Sequence, residues 1–181
     1  RGSFVKIITC ARHELERAAG LNNLEALVSD VARQTEFRLF LLDIVRRLPA
    51  FHEAHNGGLA AFRAAHREKN PAQPVPDLSG RLGRLEAPFW VWRRGRRRQR
   101  LWTLMDDRKI SLFHGDETDA LAALDAADLD QGGDKAVKQL ENLESAGVKI
   151  RPRALSLTLF ARLFLGDLFI HGVGGAIYDQ V

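Results

Sequence analysis

The clearest pattern of apolar and polar positions lies between Glu36 and Leu48. Apolar side chains recur there with the i, i+3, i+4, i+7 spacing that places them on one face of an α-helix. The residues on this face are Phe37, Phe40, Leu41, Ile44, Val45 and Leu48. Pro49 ends this helix and suits the first turn of the next one, which the pattern extends to about Arg67.

The residues before this helix predict one strand and two short helices. Residues 4–9 (Phe-Val-Lys-Ile-Ile-Thr) are rich in β-branched and aromatic side chains, which favours a β-strand. A helix over 11–19 is expected to end at Gly20, and a second helix to begin near Asn22 or Asn23. We therefore interpret residues 1–69 as a mainly helical segment with one N-terminal strand.

Proline separates this segment from the next one. Residues 70–88 contain four of the six prolines and predict a Pro-rich linker. After the linker the apolar pattern alternates with a period of two, and turn residues separate the alternating runs. Three strands, over 89–92, 100–104 and 109–114, therefore predict an antiparallel β-meander.

Beyond the meander, the pattern predicts helices interspersed with short strands. The expected helices cover 118–127, 134–146 and 154–165, and the expected strands cover 148–150 and 168–170. This order indicates an α/β fold or an α+β fold. We interpret residues 89–181 as one segment, a β-meander followed by an α/β part with a C-terminal Gly-rich turn.

That turn is the main candidate site. The predicted strand over 168–170 is followed by Gly172, Gly174 and Gly175, and a helix is expected to begin at Ala176. A strand, a glycine turn and a helix N-terminus together form a common anion-binding arrangement, because glycine lets backbone N–H groups approach the ligand.

His171 lies at the end of the same predicted strand. In a parallel sheet this position faces the edge at which α/β proteins bind ligands. Histidine titrates near neutral pH, so His171 is the candidate acid or base, with Asp167 and Tyr178 as catalytic neighbours. The alternative is that His171 hydrogen-bonds its own turn and that Tyr178 packs in the core.

A second candidate site is the densest cluster of positive charge in the chain. The cluster consists of Arg93, Arg94, Arg96, Arg97, Arg98 and Arg100. Arginine binds phosphate oxygens through paired N–H groups, and nearby tryptophans can stack on bases, so the cluster predicts a nucleic-acid patch. The alternative is a solvated hairpin tip whose tryptophans pack in the core.

Overall composition narrows the possible partners. The net charge of +4 favours anionic partners in general, but it does not choose among nucleic acid, small phosphate compounds and no such partner. The single cysteine excludes an intramolecular disulfide and fits a reducing compartment, so we expect a cytoplasmic protein. No apolar run approaches the roughly 18 to 20 residues of a membrane span, so no membrane partner is expected.

Two smaller patterns contain residues capable of chemistry. His52 and His55 have i, i+3 spacing, which is not the spacing of a zinc protease, and no metal site is predicted. Cys10 follows the predicted first strand, where a helix N-terminus can activate a thiol. Cys10, or a histidine set that includes His114, therefore supports a small hydrolase of broad ester or phosphoester specificity; the alternative is an inert thiol.

The later part of the chain resembles a known family. An Arg-Pro-Arg-Ala-Leu run (151–155) and an Asp-Leu-Phe-Ile-His-Gly-x-Gly-Gly-Ala-x-Tyr-Asp segment (167–179) are similar to segments of the bacillithiol-synthase (cysteine-adding enzyme) family and its uncharacterised bacterial relatives. The resemblance covers about 74–181. It implies a Rossmann-like partial core with helical segments, in which the turn at 172–175 lines the ligand cleft.

The chain also departs from that family. The family's other glycine turn and its C-terminal helical region have no counterpart here, and Ala176 and Ile177 replace a Pro and a Glu. Cysteine ligation therefore does not follow from the resemblance. We expect a partial chain that can form a homodimer through a truncated core.

Together these observations lead to one main hypothesis and two alternatives. The main hypothesis is the ligand-binding domain of an enzyme, a ligase-like fragment acting on an anionic small molecule, phosphate or carboxylate. The predicted ligand-binding residues are Gly172, Gly174, Gly175, Arg151 and Arg153. The alternatives are the small hydrolase and a nucleic-acid-binding module, and the sequence identifies no cofactor.

Overall fold

A computed structural model of the protein describes residues 4–170, 172, 175 and 176. The chain divides into two compact units, Arg1–Val31 and Ala32–Val181.

The first unit is helical. It contains α1 (Phe4–Ala18) and α2 (Val28–Val31). The strand predicted over 4–9 is therefore wrong, because these residues form the first part of α1. The apolar residues Phe4, Val5, Ile7 and Ile8 also fit a helical period, and the pattern continues to Leu15 in the same helix.

The second unit combines helices with a sheet. Its helices are α3 (Thr35–Arg46), α4 (Leu48–His66), α5 (Ala126–Asp130), α6 (Asp134–Ser145) and α7 (Ala154–Phe160), and a π-helical turn (Ala161–Leu165) follows α7. Its strands are β1 (Gly80–Arg81), β2 (Arg84–Arg93), β3 (Gln99–Met105), β4 (Lys109–His114), β5 (Ala120–Asp125) and β6 (Val148–Pro152).

The strands form one antiparallel sheet in the order β1-β2-β3-β4-β5, and β6 pairs with β2. The predicted meander is confirmed, and the fold is α+β. The Rossmann-like prediction is wrong, since no described pair of strands is parallel. A parallel pair needs a crossover of about a dozen residues or more, whereas β2 to β5 are joined by short turns.

Two further predicted elements differ from the structure. The helix predicted over 118–127 is mostly β5, because Leu124 is fully buried opposite Ile110 of β4 and this pairing overrides the helix propensity of the alanines. The strand predicted over 168–170 is absent, since Leu168 and Ile170 are about four-fifths exposed, at 79% and 82%. Part of the predicted Pro-rich linker forms β1 and the start of β2.

One face of the sheet packs against helices to form the core. Phe89, Val91, Leu101 and Leu112 are fully buried on this face. The ring of Phe89 lies 6.1 Å from that of Phe37 in α3, centroid to centroid, in an edge-to-face arrangement. Phe37 in turn contacts Phe160 of α7 at 5.2 Å, so aromatic contacts join both helices to the sheet.

Candidate functional site

The candidate site with the best-defined geometry lies at an irregularity in β2. The register of β2 against β3 shifts between Ala87 and Trp90. The carbonyl of Pro88, inside the shift, accepts hydrogen bonds from Ser156 Oγ at 2.7 Å and from the Arg153 backbone N–H at 3.2 Å. A bulge of this kind redirects side chains and interrupts strand pairing. Here it joins the start of α7 to β2 beside Trp90.

A buried carboxylate organises the charges at this point. The side chain of Glu86 is fully buried, and it accepts hydrogen bonds from Arg100 Nη1 at 2.7 Å and from Arg153 Nη1. The backbone N–H of Ser79 donates to the same carboxylate at 3.1 Å. Two guanidinium groups and one carboxylate leave this cluster with a net charge of +1.

The indole of Trp90 lies beside the cluster. The guanidinium carbon of Arg153 is 5.2 Å from the Trp90 ring centroid, and that of Arg98 is 5.5 Å from it. Such cation–π contacts hold a planar guanidinium against an aromatic face. Arg153 therefore has a fixed position between Glu86 and Trp90.

The opposite wall comes from the Pro-rich loop between α4 and β1, and Arg63 of α4 fixes this loop. Its guanidinium donates to the carbonyls of Gln73 at 2.8 Å, Pro71 at 2.8 Å and Val75 at 2.9 Å. It also pairs with Asp77 at 2.7 Å. One side chain from a helix thus holds four points of a loop that has no regular structure of its own.

Asn56 of α4 fixes the end of the same loop. Its side-chain amide donates to the carbonyl of Leu78 and accepts from the Leu78 N–H, both at 2.9 Å. The pairing copies that of two strands and satisfies both backbone groups of a buried residue. Asn56 and Arg63 together fix the position of the loop from Pro71 to Leu78.

These elements enclose a mostly apolar cavity of about 240 Å³. Its walls are formed by His55, Val75, Pro76, Leu78, Pro88, Trp90, Arg153, Ala154, Leu155 and Ser156. We call it the Trp90 cavity. A concave apolar space with a few converging polar groups is the usual form of a small-molecule site.

His55 is a titratable group in the wall of the Trp90 cavity, and its pKa is lowered. Burial lowers the pKa of His55 below its ordinary value, and the positive charge of Arg153 lowers it further. Asp77 and Glu86 act in the opposite direction without reversing the shift. The imidazole is therefore neutral at pH 7, and it can accept a proton there.

Arg151, the other arginine predicted to bind ligand, has a structural partner. It is buried and donates to both carboxylate oxygens of Glu144, at 2.8 Å and 2.9 Å. Burial alone would raise the pKa of Glu144, but the hydrogen bonds and charges of Arg151 and Arg33 outweigh it and lower the pKa. Arg151 does not line the Trp90 cavity.

The predicted C-terminal site is only partly visible. His171, Gly174 and Tyr178 lie outside the described residues. Asp167 and Gly172 are exposed, and the carbonyl of Gly172 accepts a hydrogen bond from the Ala176 N–H at 3.0 Å. The inference that put His171 at the edge of a parallel sheet is wrong, because the strand before it is absent and the described sheet is antiparallel.

The structure divides the predicted arginine patch into groups with different surroundings. Arg100 is paired with Glu86, and Arg98 lies on Trp90. Arg94, Arg96 and Arg97 form no ion pair with any residue that the structure describes, and the side chain of Arg93 is 3.8 Å from Glu117. Uncompensated charge is therefore confined to the turn between β2 and β3.

The other candidates for chemistry belong to different elements of the chain. Cys10 is exposed on α1 in the first unit, whereas His114 belongs to the second. Ser156 lines the Trp90 cavity, but its hydroxyl already donates to Pro88. Within the described chain, ligand atoms with metal-site spacing occur at His13, Glu16 and Glu25, where Arg12 already pairs with both carboxylates.

Sequence reasoning missed the residues that hold the Trp90 cavity together. Glu86 had one usable signal, an acidic residue inside an otherwise apolar strand, since buried carboxylates are rare unless they are paired. Asn56 and Arg63 are seven residues apart and so lie on one helix face. Their partners, however, are mostly backbone carbonyls, which carry no sequence signature.

Comparisons of the chain with protein-family models, with curated proteins and with solved structures found no match. No helix in the described part of the chain is both long and apolar enough to cross a bilayer. The resemblance to the bacillithiol-synthase family therefore stays a prediction. The function has to be argued from the geometry of the site.

Proposed function

We propose that the protein binds a small organic anion, with a carboxylate as its charged group, in the Trp90 cavity, as the ligand-binding domain of an enzyme. The observation that carries this proposal is the position of Arg153. It lies in the wall of an apolar cavity and uses only Nη1 in a side-chain hydrogen bond within the described chain. A guanidinium has five N–H donors, so most of them are available to a ligand.

The charges near the cavity favour an anion over a cation. The Arg100–Glu86–Arg153 cluster has a net charge of +1, and His55 adds no charge at pH 7 because its pKa is lowered. One positive charge matches one carboxylate. Arginine also suits this group geometrically, since its planar fork can donate two parallel hydrogen bonds to a carboxylate.

The remaining walls favour an apolar body for the ligand. Pro76, Leu78, Pro88 and Leu155 surround the space, and the Trp90 ring forms one side. The volume of about 240 Å³ is slightly below the roughly 300 to 1,000 Å³ of typical ligand sites. A small aromatic or branched carboxylic acid fits these limits.

His55 gives the site a group for proton transfer. A neutral imidazole beside a bound carboxylate gains a proton more readily, because the anion opposes the effect of Arg153. Ligand binding is therefore expected to raise the pKa of His55. This places a base next to the substrate, which is the arrangement that general acid–base chemistry requires.

The proposal is tested by calorimetric titration with three ligands of similar shape: benzoate, benzyl alcohol and benzylamine. We expect benzoate to bind, benzyl alcohol to bind more weakly and benzylamine not to bind. Equal binding of all three would show that the cavity has no preference for an anion and would contradict the proposal.

A variant that fills the cavity locates the binding. Ala154→Phe places a ring in the Trp90 cavity without removing a charge, so benzoate binding should be lost. Ala127→Phe is the matched control, since Ala127 is also an exposed alanine in the first turn of a helix and does not line the cavity. Benzoate binding that survives Ala154→Phe would place the site elsewhere.

A further inference from the structure

A second cavity lies on the other face of β2. It has a volume of about 430 Å³ and is lined by Arg93, Arg96, Arg97, Gln99, His114 and Glu117. Trp90 and Arg93 are three residues apart, which directs their side chains to opposite faces of the strand. We call this second cavity the His114 groove, and it is separate from the Trp90 cavity.

The groove has an excess of positive charge. Arg96 and Arg97 form no ion pair with any described residue. The ion pair of Arg93 is long, with 3.8 Å between its Nη2 and Glu117 Oε2. Three guanidinium groups and one carboxylate give +2, before any charge on His114. This is the charge that a phosphate dianion needs for neutralisation.

His114 adds a buried polar group without a complete set of partners. Its side chain is 9% exposed, and Nδ1 lies 2.9 Å from Glu117 Oε1. Nε2 is buried and has no hydrogen-bond partner among the described atoms. The ring lies in the wall of the groove, and its contact with Glu117 holds it there.

The turn after β4 brings the side chains of His114 and Glu117 together. Gly115 has a positive φ of 57°, which glycine adopts without strain, and its N–H donates to the carbonyl of Arg100 at 3.0 Å. The Glu117 N–H then donates to the carbonyl of His114 at 3.2 Å. This turn returns the Glu117 carboxylate to the imidazole.

We propose that the His114 groove binds the phosphate group of a small phosphate-bearing molecule. The guanidinium groups of Arg93, Arg96 and Arg97 donate to the phosphate oxygens. Glu117 accepts the Nδ1–H of His114, which orients the ring in the wall of the groove.

The aromatic residues favour a small ligand over a nucleic-acid strand. Binding of single strands relies on aromatic faces that stack on bases. The ring of Trp102 has the guanidinium of Arg81 over it at 4.3 Å, and Arg98 and Arg153 both contact Trp90. Arginine side chains therefore already lie against these rings, and the described lining of the groove contains no Phe, Tyr or Trp.

Pyrophosphate and inorganic phosphate are the probes, titrated by calorimetry at about 0.15 M salt, the physiological ionic strength. We expect pyrophosphate to bind with one-to-one stoichiometry. The double variant Arg96→Gln/Arg97→Gln should weaken it by about tenfold or more, as expected for the loss of charge-assisted hydrogen bonds. The imidazole signals of His114 should shift on binding in the wild-type protein.

Arg94→Gln is the matched control, since Arg94 belongs to the same turn but does not line the groove. It should leave pyrophosphate binding unchanged. An equal loss with Arg94→Gln, together with tighter binding of a single-stranded oligonucleotide, would overturn the proposal in favour of a diffuse nucleic-acid surface. Absence of pyrophosphate binding, or binding that leaves His114 unshifted, would also overturn it. None of these results bears on benzoate binding in the Trp90 cavity.

Discussion

The Trp90 cavity and the His114 groove are both lined by arginine, but they differ in how the positive charge is compensated. In the Trp90 cavity, Arg153 is fixed by the buried carboxylate of Glu86 and by an indole. In the His114 groove, Arg96 and Arg97 have no ionic partner in the described chain, and the carboxylate present, Glu117, is half exposed, with 45% of its side chain accessible. Arginine therefore forms a rigid site with a net charge of +1 in the Trp90 cavity, and an open site with a net charge of +2 in the His114 groove.

This comparison shows why a cluster of arginines in sequence is a poor guide to function. Arg93 to Arg100 form one run of the chain, yet the run is divided between a buried ion-pair cluster and an exposed turn. Strand alternation and the position of a single glutamate cause the division.

Removing Glu86 should be the most damaging change. Glu86→Gln leaves Arg100 and Arg153 without their carboxylate, and breaking a buried ion pair costs about 3 to 5 kcal/mol. Urea unfolding followed by tryptophan fluorescence measures this loss. Glu117→Gln is the control in the other cavity and should cost less than about 1 kcal/mol, because Glu117 is partly exposed. Equal losses would remove the distinction between the two cavities.

Arg63→Ala should have the next largest effect. It removes four hydrogen bonds that fix the Pro-rich wall of the Trp90 cavity, and we expect a loss of about 2 kcal/mol. Benzoate affinity should fall as well, whereas pyrophosphate affinity should not. Lys69→Ala, an exposed change in the same loop, provides the baseline for both measurements. A stable variant with full benzoate affinity would show that the loop does not shape the site.

Gly115→Ala tests the turn beneath the His114 groove. The positive φ disfavours alanine by about 1 kcal/mol, and the added Cβ would lie 3.2 Å from the Gln99 side chain. Gly95→Ala carries a similar backbone strain with no atom within 4 Å of the new Cβ. Unfolding free energies should therefore fall further for Gly115→Ala. Pyrophosphate affinity should also decrease in this variant and not in the Gly95 control.

The smallest effect concerns pH. Because burial and Arg153 lower the pKa of His55 in the folded protein, the unfolded chain binds the proton more readily. The contribution of His55 to stability is thus complete above its unfolded pKa of about 6.5 and is lost as the pH falls from there towards the folded pKa. Thermal unfolding of His55→Gln across this range should show a weaker dependence on pH than the wild type, and an unchanged dependence would contradict the assignment.

Parts of the fold with a strong local period could be predicted from sequence. The helix around Phe37 and the meander strands around Trp90 and Trp102 follow their patterns closely. Elements decided by distant contacts could not. Leu124 lies in a strand only because β4 pairs with it, and Leu168 has no sheet to join.

The candidate site was less predictable than the fold for the same reason. A family resemblance indicates Arg153 as a ligand-binding residue. Its role, however, depends on Glu86, which is 67 residues away in the chain. The loop that faces Arg153 is positioned by Arg63 through backbone carbonyls, which every residue possesses. Sequence shows which residues are capable of chemistry, and the sheet and loop contacts decide which of them meet.

A crystal structure of the protein soaked with 4-bromobenzoate shows directly where the carboxylate binds, because the anomalous signal of bromine locates the ligand. We expect a bromine peak within the Trp90 cavity, beside the indole, and the carboxylate on the free donors of Arg153. A peak confined to the His114 groove, or a Trp90 cavity left empty at saturating ligand, would contradict it.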